Sequence, residues 1–423
     1  MKQDETKQKA ATTFIDNLKL PVHGWYRYTA GFSAQWAESV IETEHVRTGG
    51  KDDFTVLDPF AGSGTTMLAA DQIGVSSIGF ESHPLVNEIA AAKLAWDTDP
   101  EAFAQKGKSI ANIAAGITDP MYEYPAIVEK CYSKENLQEI DKLRKALERS
   151  ADDTPEYKLA KIAFICVLRS ASHAGTATWQ YVLPNKTKTN VSGALKAYLH
   201  QIDVMASDLI YMQNSGAVKQ SNILEQDSRK YREGMNDKID LVLTSPPYAN
   251  NYDYADATRL ELSVLGEIKG WGDLQDIIRP GLVRSCSQMV SKEKKRTFEY
   301  LEDPILAPIH DEIIDVCQRL DEEKEHHGGK KNYHTMVALY FLDLAHVFRN
   351  LRAYCKEGSR VCFVVGDSAP YGIYVPVDEW LGRLAQSVGF YDYSFDKTRD
   401  RNIKWKNRKH RVPLKEGYLW IEG

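Results

Sequence analysis

"FTVLDPFAGSGTTMLAADQIG", Phe54 to Gly74, decides how the rest of the chain is read. "FTVLDPF" reads as a buried strand that ends in an acid, Asp58. "AGSGTT" reads as a tight loop, where Gly62 and Gly64 let the backbone turn sharply and come close to a ligand. "TMLAADQIG" carries helical periodicity and is closed by Gly74. "SSIGFE" follows as a strand and "PLVNEIAAAKLAW" as a helix. Strand, loop, helix, strand, helix predicts a doubly wound α/β sheet.

The loop also narrows the ligand. No lysine follows it as a phosphate-binding P-loop requires, which disfavours a nucleoside triphosphate. The glycine spacing is not GxGxxG, so a dinucleotide's pyrophosphate fits poorly. The next strand ends in Glu81, where a carboxylate can accept hydrogen bonds from both ribose hydroxyls. An adenosine with a cationic, phosphate-free tail fits these features, and S-adenosyl-L-methionine is such a molecule. Asp58 would then lie near its amino-acid or sulfonium end. Asp227 in "ILEQDSR" closes a third strand and is placed to receive the adenine amino group, with Ser228 beside it.

A fourth strand, "KIDLVL", runs into "TSPPYANNYDY", Thr244 to Tyr254. Pro246 and Pro247 stop the strand and stiffen the turn behind it. A flat base bearing an amino group needs acceptors aimed at that NH2 and a ring to stack on. The Ser245 hydroxyl and the Pro246 carbonyl are the candidate acceptors, and Tyr248 is the candidate ring. The amino nitrogen is itself the nucleophile, so no covalent enzyme intermediate is needed. Catalysis would rest on orientation and electrostatics. A base inside a duplex reaches such a pocket only by being flipped out.

These two motifs resemble those of the amino-methylating DNA methyltransferases, which act on cytosine N4 or adenine N6. "DPFAGSGT" resembles their cofactor motif and "TSPPY" their catalytic motif. The serine form of the tetrapeptide is typical of the cytosine-N4 enzymes. The resemblance implies a Rossmann-like, seven-stranded methyltransferase fold with S-adenosyl-L-methionine as donor. It implies cofactor contacts from Asp58, Pro59, Phe60, Ala61, Gly62, Ser63, Gly64 and Thr65, together with Glu81, Asp227 and Ser228. "YRYTAGFSAQWAESVI" resembles a further cofactor motif of the family, which implies Phe32 and Ser33 near the methionine end. "NNYDYADATRLELSVLG" resembles the segment after the catalytic motif, which implies Asn250, Asp253 and Tyr254 in the base pocket. One feature departs from many enzymes of the SPPY type: here the cofactor motif precedes the catalytic one.

The remaining sequence sets the frame. The chain has 423 residues, 43% hydrophobic content and a formal charge of −6. Its six cysteines form no CxxC pair, so neither a zinc site nor a disulfide framework is expected. No apolar run is long enough for a membrane helix, and the polar start lacks a signal core. A soluble, cytoplasmic protein is the expectation.

The catalytic domain is assigned to residues 1–100 and 221–423. Residues 101–220 carry helical periodicity and read as an insertion and candidate target-recognition region. "SHAGTATWQYVLPNKTKTN" within it mixes rings, hydroxyls and cations, with Trp179, Lys186 and Lys188 as candidate DNA contacts. Residues 268–332 read as an irregular, solvated stretch. "KTRDRNIKWKNRKHR", Lys397 to Arg411, is strongly basic, and Arg408, Lys409 and Arg411 are further candidate DNA contacts; a solvated hairpin is the alternative. "EGYLWIEG" reads as part of a terminal antiparallel hairpin.

The expected function is site-specific methylation of double-stranded DNA at a flipped base, with cytosine N4 favoured. Restriction or defence-system proteins are candidate partners. Adenine N6, an RNA guanine amino group and a non-catalytic nucleic-acid-binding module remain the alternatives.

Overall fold

The computed structural model describes residues 16–28, 31–174, 188, 190–250, 252–328, 331–401 and 412–423. Seven strands form one sheet: β1 (Thr55–Asp58), β2 (Ser76–Glu81), β3 (Ser221–Glu225), β4 (Ile239–Thr244), β5 (Cys355–Gly366), β6 (Asp392–Arg401) and β7 (Leu414–Glu422). Their order is β3-β2-β1-β4-β5-β7-β6. β1 to β5 pair in parallel, and β7 runs antiparallel between β5 and β6. This mixed seven-stranded α/β sheet is consistent with a methyltransferase fold.

The larger helices are α1 (Ala34–Arg47), α2 (Thr65–Ile73), α3 (Pro84–Leu94), α4 (Pro100–Gly116), α5 (Lys134–Arg149), α6 (Pro155–Val167), α7 (Ala194–Asn214), α8 (His310–His326), α9 (Tyr333–Tyr354) and α10 (Val377–Ser387). They cover the sheet on both faces, and the central strands are apolar on both. Val56, Leu241, Leu243, Cys362 and Val364 pack with Ala37 and Ile41 of α1 on one side. Their neighbours Leu57, Val242, Val361 and Phe363 face the other core, with Phe341 and Phe348 of α9. Each fully buried Val, Leu or Phe contributes roughly 1.5–3 kcal/mol.

A strand that is apolar on both faces does not set its own register. Polar contacts at both ends pin β1 to β4. The Thr55 N–H donates to the Asp240 carboxylate at 3.0 Å, and the Thr244 hydroxyl donates to Asp58 at 2.6 Å. The carboxyl ends of these strands therefore meet where the order reverses, between β1 and β4. That is where ligands bind in open α/β sheets.

Helices α4 to α7 follow one another between α3 and β3. Phe103, Ile140, Phe164 and Ile202 of these helices join the same buried cluster as Leu57 and Val242. Gly107 of α4 makes the α4–α7 contact close. A Cβ there would sit 2.5 Å from the Ile202 Cδ1.

The stretch 268–332 differs from the sequence reading. It contains α8, a 17-residue helix that buries Ile313, Val316, Cys317 and Leu320. Those positions follow the i, i+3, i+4, i+7 spacing of a helix face. The charged "DEEKEHH" at its end masks that signal. Among the described residues no helix is long and apolar enough to cross a membrane.

Candidate functional site

At the carboxyl ends of β1, β2 and β4 lies a cavity of about 410 Å³. Gly62 and Glu81 line it from one side, and Ser245 and Tyr248 from the other. The glycine loop and the double-proline tip are thus neighbours in space, although 178 residues lie between Thr65 and Thr244.

The β1–β2 side is built around two buried carboxylates. Asp58, 2% exposed, accepts from the Phe60 N–H at 3.0 Å, the Thr66 hydroxyl at 2.5 Å and the Thr244 hydroxyl at 2.6 Å. Burial pushes its pKa up to about 6, against those three hydrogen bonds. Asp58 does not line the cavity. A carboxylate this deep must find its donors inside the protein, so it serves as a strut between the two motifs. That differs from the expected place beside the cofactor tail.

Glu81 does line the cavity. One of its oxygens accepts from the Gly62 N–H at 2.9 Å, the other from the His83 N–H at 2.7 Å. Each oxygen keeps a further acceptor site. Burial pushes its pKa up to about 7. Gly62 has φ +53°, and a Cβ there would lie 3.0 Å from the Tyr28 Cε1. The left-handed backbone favours glycine, and a side chain there would crowd the Tyr28 ring.

The other expected cofactor residues divide. Phe32, Pro59 and Phe60 line the cavity, as do Asp227 and Ser228. Ala61, Ser63, Gly64 and Thr65 lie behind it in the turn and the start of α2, and do not line it. The Ser33 hydroxyl instead caps α1, accepting from the Trp36 N–H at 3.3 Å. Asp227 is held by Arg229, with Nε–Oδ1 and Nη2–Oδ2 both at 2.9 Å. Its charge is already matched, so it is a weaker acceptor for an adenine amino group than the sequence alone suggested. The Ser228 hydroxyl donates to the Pro59 carbonyl at 2.5 Å.

The opposite side is aromatic. Ser245, Pro247 and Tyr248 line the cavity, with Asn250, Tyr252 and Tyr254. Pro246 is buried outside the lining. Tyr252 and Tyr254 meet edge to face at 4.7 Å. Asp253 points elsewhere and pairs with the buried Arg279 at 2.5 Å. Its alternation with two cavity-facing tyrosines turns it away from the expected base pocket. Lys188 also lies away from the cavity, donating to the Arg169 carbonyl at 2.9 Å. Trp179, Lys186, Arg408, Lys409 and Arg411 lie outside the described residues.

Several lining residues had no place in the sequence reading. Tyr28 comes from the amino-terminal motif, and Leu282 and Val283 from the stretch 268–332. Arg399, Arg401 and Glu416 come from the terminal hairpin. The Arg401 guanidinium lies 5.2 Å from the Tyr248 ring centroid, and its Nε is 3.4 Å from Glu416. The basic character of this hairpin was legible; the side of it that enters the cavity was not. Among the described residues, no His, Cys, Asp and Glu are grouped as metal ligands.

The arrangement offers acceptors and a narrow glycine turn on one side, and rings with a hydroxyl on the other. A family model described as a DNA methylase matches residues 3–92. The Type II methyltransferase M.BsoBI of Geobacillus stearothermophilus is 24% identical over 99% of this chain and 89% of its own length. The Type II methyltransferase M.AvaI of Nostoc sp. is 25% identical over 92% of this chain and 83% of its own length. No solved structure matches the chain. The likeness to a DNA methylase family thus covers residues 3–92, and the likeness to Type II methyltransferases runs along nearly the whole chain.

Proposed function

We propose that this chain is an S-adenosyl-L-methionine-dependent DNA methyltransferase of Rossmann-like fold that modifies the exocyclic amino group of a flipped base, cytosine N4 foremost. The observation that carries this reading is the single cavity shared by Gly62, Glu81, Ser245 and Tyr248. The residues fit the cofactor: Glu81 has acceptor sites left for ribose hydroxyls, and Gly62 leaves the turn open. When bound, the cofactor supplies a methyl group on a sulfonium.

The protein's own residues do the rest. Glu81 holds the glycine turn through the Gly62 N–H and presents a carboxylate to the cavity. Tyr248 gives the base a face to stack on. Ser245 accepts from the amino group and orients its lone pair. Asp58 keeps both motifs in register through Thr244. Catalysis on this reading is positioning in a partly dry cavity, with no enzyme nucleophile.

The serine of the tetrapeptide favours cytosine over adenine. The names of the relatives, both Type II methyltransferases, support a role in restriction-modification and a cytoplasmic site of action on host DNA. Methyl transfer from labelled cofactor, followed by digestion and separation of the nucleosides, tests the reading. The expected product is N4-methylcytosine. N6-methyladenine would move the target atom, and label confined to RNA, or no label, would refute the assignment.

A further inference from the structure

Trp271 is 45% exposed, yet its ring is held in place. The guanidinium of Arg279 lies 4.6 Å from its centroid and that of Arg259 4.9 Å. Each arginine is tied to an acid just beyond the catalytic tip: Arg279 to Asp253 at 2.5 Å, Arg259 to Asp256 at 3.3 Å. Tyr252 and Tyr254, which flank Asp253, line the base cavity. A ladder of charges and rings therefore connects the cavity wall to an exposed tryptophan.

Trp271 also lines a groove of about 530 Å³, together with Gln275, Gln288, Ser291 and Lys292. Gln275 stiffens its floor, accepting from Arg279 at 2.9 Å and donating to the Met289 carbonyl at 3.5 Å. The lining is amide, hydroxyl and ammonium with one carboxylate, Asp276, which pairs with Lys292 at 3.4 Å in an exposed contact that a phosphate can displace; a second ammonium, Lys331, also lines it. Amide side chains match base edges, and ammonium groups match phosphates. The part of the Trp271 ring that the arginines leave exposed is available to stack on a base.

We propose that the Trp271 groove is a duplex-DNA contact surface beside the base cavity, with Trp271 stacking on a nucleotide, Gln288 and Ser291 facing base edges, and Lys292 facing phosphate. This deepens the methyltransferase reading and rests on it. It adds a recognition element outside the helical region that the sequence singled out.

The test uses the full chain and a duplex carrying the site found by sequencing DNA from an expressing host, with a shuffled duplex as control. Trp271→Ala should weaken binding of the cognate duplex about tenfold or more, with Trp271→Phe keeping most of the affinity. The double variant Gln288→Ala/Ser291→Ala should bring cognate and shuffled affinities together, while its cofactor affinity and melting temperature stay at wild-type values. Wild-type binding and discrimination in both sets would overturn the proposal. Should Trp271→Ala not fold, unchanged discrimination in the double variant overturns it alone. Equal preference of the wild type for duplex RNA would also overturn it. If the wild type transfers no methyl group to DNA, the methyltransferase reading fails first and this inference falls with it.

Discussion

On the β1–β2 side of the cavity, Asp58, Glu81, Asp227 and Ser228 are all engaged by the chain itself; on the β4 side, Tyr248, Tyr252 and Tyr254 line the cavity with aromatic rings. The first side is wired into the fold, so substitutions there should cost stability. The second is furnished for contact, so substitutions there should cost substrate binding and turnover. The difference fits the two ligands of the proposed reaction. A cofactor that is the same in every turnover suits a preset cradle, whereas an extruded base suits a stacking surface.

The comparison is broken most directly at Asp58. Asp58→Ala leaves the Thr66 and Thr244 hydroxyls and the Phe60 N–H without their acceptor. Chemical denaturation should show a loss of about 3 kcal/mol or more. A loss near zero would mean that the two motifs do not depend on that strut. Tyr248→Ala should do the opposite: unfolding stays near wild type, while DNA binding or turnover falls by roughly 1–3 kcal/mol. Wild-type methylation in this variant would remove Tyr248 from the base site.

A smaller effect sharpens the picture at Gly62. Alanine in its left-handed backbone costs about 1–2 kcal/mol, and the new methyl meets Tyr28. Stability and cofactor affinity should fall together, since the same turn serves both. Calorimetry showing one change without the other would separate them.

The smallest effect concerns pH. Burial raises Glu81 to about 7 and Asp58 to about 6, so the folded state holds these protons more tightly than the unfolded chain. Their contribution to stability is present in full below the ordinary carboxylate range and is lost as pH rises through those values. Cofactor binding should run the other way. Ribose hydroxyls donate more strongly to ionised Glu81, so affinity should rise across about pH 6 to 8. Glu81→Gln should flatten that rise; a slope identical to wild type by calorimetry would take Glu81 out of the binding site.

What could be read in the sequence follows the same division. β1, the glycine turn, β2 and the Ser245–Tyr248 tip are continuous, and their patterns are local: an apolar run, a breaker and an acid at the strand end. The roles of Asp58 and Asp253 could not be read this way. Asp58 answers to Thr244, and Asp253 to Arg279, partners distant in sequence or hidden in a charged stretch. Arg399, Arg401 and Glu416 enter the cavity because β7 inserts between β5 and β6, a pairing no local pattern announces. α8 is the reverse case: its apolar spacing was present but diluted by the charges after it.

A structure of the chain bound to the demethylated cofactor and a cognate duplex puts the central claim to its most direct test. The expected result is the cofactor between Gly62 and Glu81, the flipped base against Tyr248, and the amino nitrogen about 3–3.5 Å from the position of the transferred methyl. A cofactor or base lodged outside this cavity would contradict it.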